Sequence, residues 1–277
     1  MSVSIPTSVW DKFKTRLSPL LPLFGQVGCI LGTFTVVIYL QTHQLAALKQ
    51  QRKVLSKAAL QQEEARAKAQ MSISKTLPTF GFKNLVADWN FIDFIQYFGD
   101  TDMRQQAGYG AAMEYFDAIL DRDPRFFYAY FYLSNTGSLY AGEPERSVSL
   151  MNRGLKSLSP KVPDRGYYIW RLKAVDELLF LGKVAEARNS MQNAASWAGQ
   201  YPDREGQNVA KLSQNTANYL ARNPNSKRAQ FDAWSMVLNS AVDDFVFKRA
   251  IAEIRATGGK VTVSPTGEFK VEAPAKD

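Results

Sequence analysis

Residues 107–124 read AGYGAAMEYFDAILDRDP. A small residue, Ala107, is followed five positions later by Ala112. Phe116 comes four later, Ile119 three later, and Pro124 five after that. Gly142, Ser147, Met151, Gly154 and Pro160 nearly repeat the pattern, and Gly182, Ala187, Met191 and Ala194 repeat it with a late Pro202. Offsets of four and three place the middle residues on one helix face. A small residue suits a tight turn, Ala positions let paired helices approach, and proline stops a helix. The pattern predicts successive helical hairpins, since similarity at a fixed period marks stacked supersecondary units.

These residues resemble the tetratricopeptide repeat over roughly residues 103–225. The first helix of each pair departs from that family. Phe131 matches the expected aromatic before Gly142, but Ser134 and Ser138 stand where Leu and Tyr belong, and Trp170 lies one place out before Gly182. The units are also 35 and 40 residues apart. The resemblance therefore implies an all-α fold: an irregular helical-hairpin solenoid over residues 80–257. Such repeats hold a peptide or helix in a groove.

Outward from the repeats, aromatic residues cluster. Phe126 to Tyr132 opens one helix and Tyr167 to Trp170 the next. Three or four turns cannot bury all these rings in one narrow stripe. Either some line the groove, with Tyr128, Tyr132, Asn135, Trp170, Arg171 and Asn208 as candidate protein-binding residues, or they pack between irregular helices. Residues 80–99, FGFKNLVADWNFIDFIQYFG, predict a helix apolar around most of its circumference. Trp89 and Phe94 are its candidate docking residues, for a membrane surface or a membrane-protein partner. Asp88 and Asp93 are read as polar groups within helix packing.

Toward the amino terminus, residues 17–40, LSPLLPLFGQVGCILGTFTVVIYL, hold no charge over 24 positions. About 20 helical residues cross a hydrocarbon core, so this run predicts a retained transmembrane anchor. Pro19 and Pro22 put the start of its continuous helix near Leu23. Gly28 and Gly32 fit a small-xxx-small contact for a second membrane helix. A cleaved signal peptide fits less well, because the run is long and ends in Tyr39 and Leu40. Before it lies a basic tail, residues 1–16. After it, residues 41–79 lack Gly and consist mostly of helix-forming residues. They predict a stalk, either solvated or paired as a coiled coil along Leu45, Leu48, Leu55, Ala59 and Ala69. A homo-oligomer through anchor and stalk follows from the second reading.

Charge supports this layout. The chain carries +8 overall. Residues 1–80 hold ten Lys/Arg against three acids, while the remainder holds 24 against 23. The excess flanks the apolar run, where anionic headgroups attract it. A nucleic-acid partner would need a basic face on the nearly neutral domain. Three basic residues before the run and four after it leave the side of the soluble domain open.

At the carboxyl end, residues 207–222 and 228–257 are helical in pattern, the second breaking near Asp243 and capping the last repeat. Residues 258–277 predict a short β-hairpin and a disordered tail.

Chemistry is sparse. There is one histidine, His43, and one cysteine, Cys29, inside the apolar run. No Cys/His metal cluster or Cys–His nucleophile can form within one chain, and no P-loop or GxGxxG is present. The carboxylate pairs at 100/102, 121/123 and 243/244 read as caps and turns. The sequence predicts no enzyme, no cofactor and no metal site. Anchor, stalk and the 81–100 helix also resemble membrane-anchored repeat proteins of bacteria, cyanobacteria in particular, some of which assist assembly of photosynthetic membrane complexes. The resemblance implies a scaffold in a bacterial inner or thylakoid membrane that assists assembly or quality control of a membrane complex. The alternative is a structural accessory subunit of the mature complex.

Overall fold

The computed structural model describes residues 21–52, 56–223, 227–239, 241, 244–264 and 269–274. The chain forms two compact units, Met1–Ser56 and Lys57–Asp277. The basic tail, residues 17–20 of the expected anchor and residues 275–277 lie outside the described residues.

Among the described residues of the first unit, one helix, α1 (Leu21–Arg52), runs for 32 residues. It begins two residues before the expected start at Leu23. Ile30, Leu31, Phe34, Val36, Val37, Ile38, Tyr39 and Leu40 are all exposed. Successive positions of a helix point in all directions, so this surface is apolar all round. Thr35 and Thr42 donate their hydroxyls back to the carbonyls of Leu31 (2.8 Å) and Tyr39 (3.0 Å), which pairs these two hydroxyl hydrogens within the helix. Among the described residues no helix is long and apolar enough to cross a membrane.

The second unit is helical, with one small sheet. Its elements are α2 (Lys57–Thr76), α3 (Lys83–Gly99), α4 (Thr101–Ala107), α5 (Ala112–Arg122), α6 (Phe127–Tyr132), α7 (Pro144–Leu155), α8 (Tyr167–Leu179), α9 (Val184–Ala198), α10 (Arg204–Arg222), α11 (Lys227–Asn239) and α12 (Asp244–Ala256). A π-helical segment, Leu133–Tyr140, continues α6. Strands β1 (Lys260–Val263) and β2 (Phe269–Glu272) pair antiparallel, with Lys260 opposite Glu272 and Val263 opposite Phe269. The hairpin leans on the helices. Val261 is buried, and the rings of Phe247 and Phe269 meet edge-on at 5.8 Å.

Helices pack mainly with sequence neighbours. α3 lies on α5, α7 on the π-helical segment, α8 on α9, and α9 on α10. The apolar core divides into clusters. The largest joins α2, α3, α5, α6 and α7 with Ile169 of α8, and another joins α11, α12 and β1 with Leu139 and Leu179. The residues of the sequence pattern lie in these cores: Ala112, Phe116, Ile119, Ser147, Met151, Ala187 and Ala194 are buried. Gly142 and Gly182 occupy the turns before α7 and α9 with φ of 71° and 62°, where a Cβ would be strained.

The stalk reading needs correction. α2 is part of the packed domain, not a solvated rod. Leu60, Met71 and Ser74 are buried, Ala67 packs against the same core, and Ala69 of the expected seam is exposed. The buried or half-buried positions 60, 64, 67, 71 and 74 do follow a 3.5-residue period, but the seam faces α3, α4 and α5 of its own chain. Glu64 and Ser74 hide this seam in the sequence, because each is polar. Glu64 pairs with Arg104 and accepts from the Tyr97 hydroxyl at 2.9 Å. Ser74 donates to Asn90 at 2.9 Å.

Candidate protein-docking faces

Two surfaces of the second unit expose side chains that elsewhere would be buried. The first is built by α6, α8 and α10. Each helix turns a stripe outward at offsets of three, four and seven: Tyr128, Phe131 and Asn135; Tyr168, Arg171 and Val175; Glu205, Asn208 and Leu212. Tyr128 is 66% exposed and Leu212 57%. The stripes touch one another. Phe127 and Phe131 meet edge-on at 5.0 Å, and Phe131 lies 6.3 Å from Tyr168. The Tyr168 hydroxyl donates to Glu205 at 2.9 Å. Arg171 donates to the Ser213 hydroxyl at 2.7 Å.

Electrostatics single out Arg171. Burial pushes its pKa down, only partly opposed by Tyr168. A half-buried guanidinium normally finds a carboxylate. Among the described residues Arg171 has none within ion-pair distance. Its one neutral partner leaves most of the five-donor fork available. Burial, together with the bond to Glu205, raises Tyr168 to about 12, so it stays a neutral donor at physiological pH.

The second surface is the outer face of the α2–α3 pair with its connecting loop. Ile73, Leu77, Phe80, Phe82, Leu85 and Trp89 are each more than half exposed. A groove of about 410 Å³ runs between the helices, lined by Ile73, Leu77, Trp89, Asn90 and Asp93 among others.

The sequence candidates divide accordingly. Tyr128, Asn135, Arg171 and Asn208 stand on the first face, and Trp89 on the second. Tyr132 is partly withdrawn, because its ring packs edge-on against Phe91 (5.4 Å) and Phe94 (5.7 Å). Two candidates are corrected. Phe94 is fully buried, stacked on Phe98 and set against Phe116, so it holds α3 on α5 and touches no partner. Trp170 turns inward onto Trp197 at 5.8 Å, with its indole N–H unpartnered among the described residues. Phe131, Tyr168, Val175 and Leu212 also stand on this face; the aromatic clustering that marked Tyr128 includes Phe131 and Tyr168 without singling them out, and the helical spacing from Arg171 and Asn208 reaches Val175 and Leu212.

Asp100 accepts from the Met103 N–H at the start of α4, and Asp123 accepts from the Arg125 N–H at 2.8 Å. Both are the caps and turns their positions suggested. Among the described residues no group of three or more His, Cys, Asp or Glu could hold a metal ion. Comparisons with protein families, with curated proteins and with solved structures find no match.

Proposed function

We propose that this chain is a membrane-tethered protein-interaction scaffold. α1 is its bilayer anchor, and α5 to α10 form an irregular tetratricopeptide-like solenoid. The α6–α8–α10 face holds a segment of a membrane-protein client during assembly or quality control of a membrane complex, in a bacterial inner or thylakoid membrane. The single observation that carries this reading is Arg171, a desolvated cation with no carboxylate partner among the described residues, on the face that also exposes Tyr128, Phe131 and Leu212. Rings beside a desolvated guanidinium favour a client segment with one acidic group flanked by apolar side chains. The apolar surface of residues 30–40 supports the tether, since eight large apolar side chains there are exposed among the described residues.

The test is photo-crosslinking from Tyr128 and from Asn208 in the full chain in native membranes, with mass spectrometry of the adducts. The reading expects the same membrane-complex subunits at both positions, and their loss in Arg171→Glu. Adducts confined to precursor complexes fit a scaffold, and adducts in the finished complex would instead make the chain an accessory subunit. Absence of any adduct at either position overturns the docking face.

A further inference from the structure

The α2–α3 face is independent of the client surface, and it carries two features that ask for an occupant. The first is area. Ile73, Leu77, Phe80, Phe82, Leu85 and Trp89 are all more than half exposed, with Phe80 at 86%. An aromatic side chain presents about 150–250 Å², so together these six leave on the order of 800 Å² of apolar surface. The largest apolar patch on an ordinary monomer is about 300–600 Å², whereas one side of a stable protein interface covers about 800 Å². The patch is continuous. Phe82, Leu85, Trp89 and Ile92 follow a single stripe of α3, and Trp89 shares its groove with Ile73 and Leu77 of α2 and the segment after it.

The second feature is an orphaned donor. Asn90 is only 2% exposed and lines this groove. Its carbonyl oxygen accepts from Ser74, but its Nδ2 has no hydrogen-bond partner among the described residues. A buried amide hydrogen left unpaired is costly, because it has given up water without a replacement acceptor. An acceptor brought into the groove would remove that cost. Asp93, in the same groove, accepts from Gln70 at 3.0 Å and does not meet Asn90 Nδ2.

We infer that the α2–α3 face is an interface between two copies of this chain, related by a two-fold axis near Trp89. A two-fold contact requires one surface to supply both the projection and the recess. This face does so: Trp89 projects, and the groove beside it is the recess. Asp88, exposed on the turn next to Trp89, is the acceptor that a symmetric approach carries toward Asn90 of the other copy. Each copy then supplies one Asp88 and one Asn90, so each of the two donors is met once by the same contact. A polar pair of this kind within an apolar interface fixes register and stoichiometry.

The experiment uses the full chain, extracted in mild detergent and sized by light scattering, alongside in-cell photo-crosslinking from Leu85. The inference expects a dimer, and a crosslinked product of twice the chain mass. Trp89→Glu should weaken association at least tenfold, and Asp88→Ala should weaken it severalfold. Leu212→Glu, a control on the other face, should leave association unchanged. Trp89 is exposed, so its variant should keep the helical circular dichroism of the native chain. A dimer that persists in Trp89→Glu, as one held by α1 alone would, overturns the inference. So does a Leu85 adduct made only with a different protein.

Discussion

The hydroxyl of Tyr130 fills the place where Gly154 has no side chain. Tyr130 on α6 crosses beneath α7, and its hydroxyl donates to the Pro124 carbonyl at 2.6 Å. A Cβ built on Gly154 would overlap that oxygen and stand 2.8 Å from ring carbon Cζ. In an exposed helix Gly→Ala stabilises by about 1 kcal/mol; here the sign reverses. Gly154→Ala should cost about 1–3 kcal/mol through overpacking. Tyr130→Phe in the same chain should recover part of that loss, because the oxygen that clashes is gone. Urea denaturation of the two single variants and the double variant checks this. A stabilised Gly154→Ala would mean that α6 and α7 do not cross as closely as the structure has them.

α2 supplies the second prediction. Met71 is fully buried, while Ala69, two positions away, is exposed. Met71→Ala should therefore cost about 2–5 kcal/mol, and Ala69→Gln should cost almost nothing. A solvated stalk would tolerate both equally. Thermal melts of the two variants separate the cases, and equal melting temperatures would return α2 to the stalk.

What could be read from the sequence follows from what burial requires. The spacing from Ala107 to Pro124 and its two echoes marked buried positions correctly, because small and apolar residues at offsets of four and three have few other uses. The break between α11 and α12 and the hairpin after Gly259 were also visible, as was the outward-facing Tyr128. The inner seam of α2 was not, since Glu64 and Ser74 look like surface residues until Arg104 and Asn90 are known to meet them. Phe94 and Trp89 could not be told apart by composition. Only the packing of α3 on α5 decides that Phe94 faces in and Trp89 out. The two serines where the repeat pattern expects Leu and Tyr, Ser134 and Ser138, make sense only with Asp176, roughly forty residues on, between them.

A third prediction concerns Arg104. It is 3% exposed, ion-paired with Glu64, donates to the Gly108 carbonyl at 2.7 Å and lies over the Tyr97 ring, 3.8 Å from its centroid. Removing one member of a buried pair leaves the other charge uncompensated, which costs about 3–5 kcal/mol. Arg104→Met should show a loss of that order. Adding Glu64→Gln should restore part of it, since no charge is then stranded. A denaturation cycle reads the coupling. If the double variant is no better than the sum of the singles, the pair does not act as a unit.

The last prediction is a pH dependence. The Asp176 carboxyl is fully buried and accepts from Ser134 at 2.6 Å and Ser138 at 2.7 Å. Burial raises its pKa from the ordinary carboxylate range to about 7, which outweighs the two hydroxyl donors. The folded chain therefore holds a proton here between about pH 4 and pH 7 that the unfolded chain releases. Stability from this group is fully present below the unfolded pKa and is lost as pH rises through the folded one. Three units at about 1.4 kcal/mol each put the loss on the order of 4 kcal/mol. Asp176→Asn keeps an acceptor for one serine and carries no charge at any pH. Relative to the native chain it should gain stability steadily from pH 4.5 to pH 8, where the native carboxylate is ionised in an apolar setting. The measurement is the difference between the two urea midpoints across that range. Acid-sensitive groups elsewhere cancel in it, including Asp117, which the hydrogen bonds from Lys75 and Arg153 hold low despite burial. A difference independent of pH would mean that Asp176 stays ionised throughout, held by the serines after all.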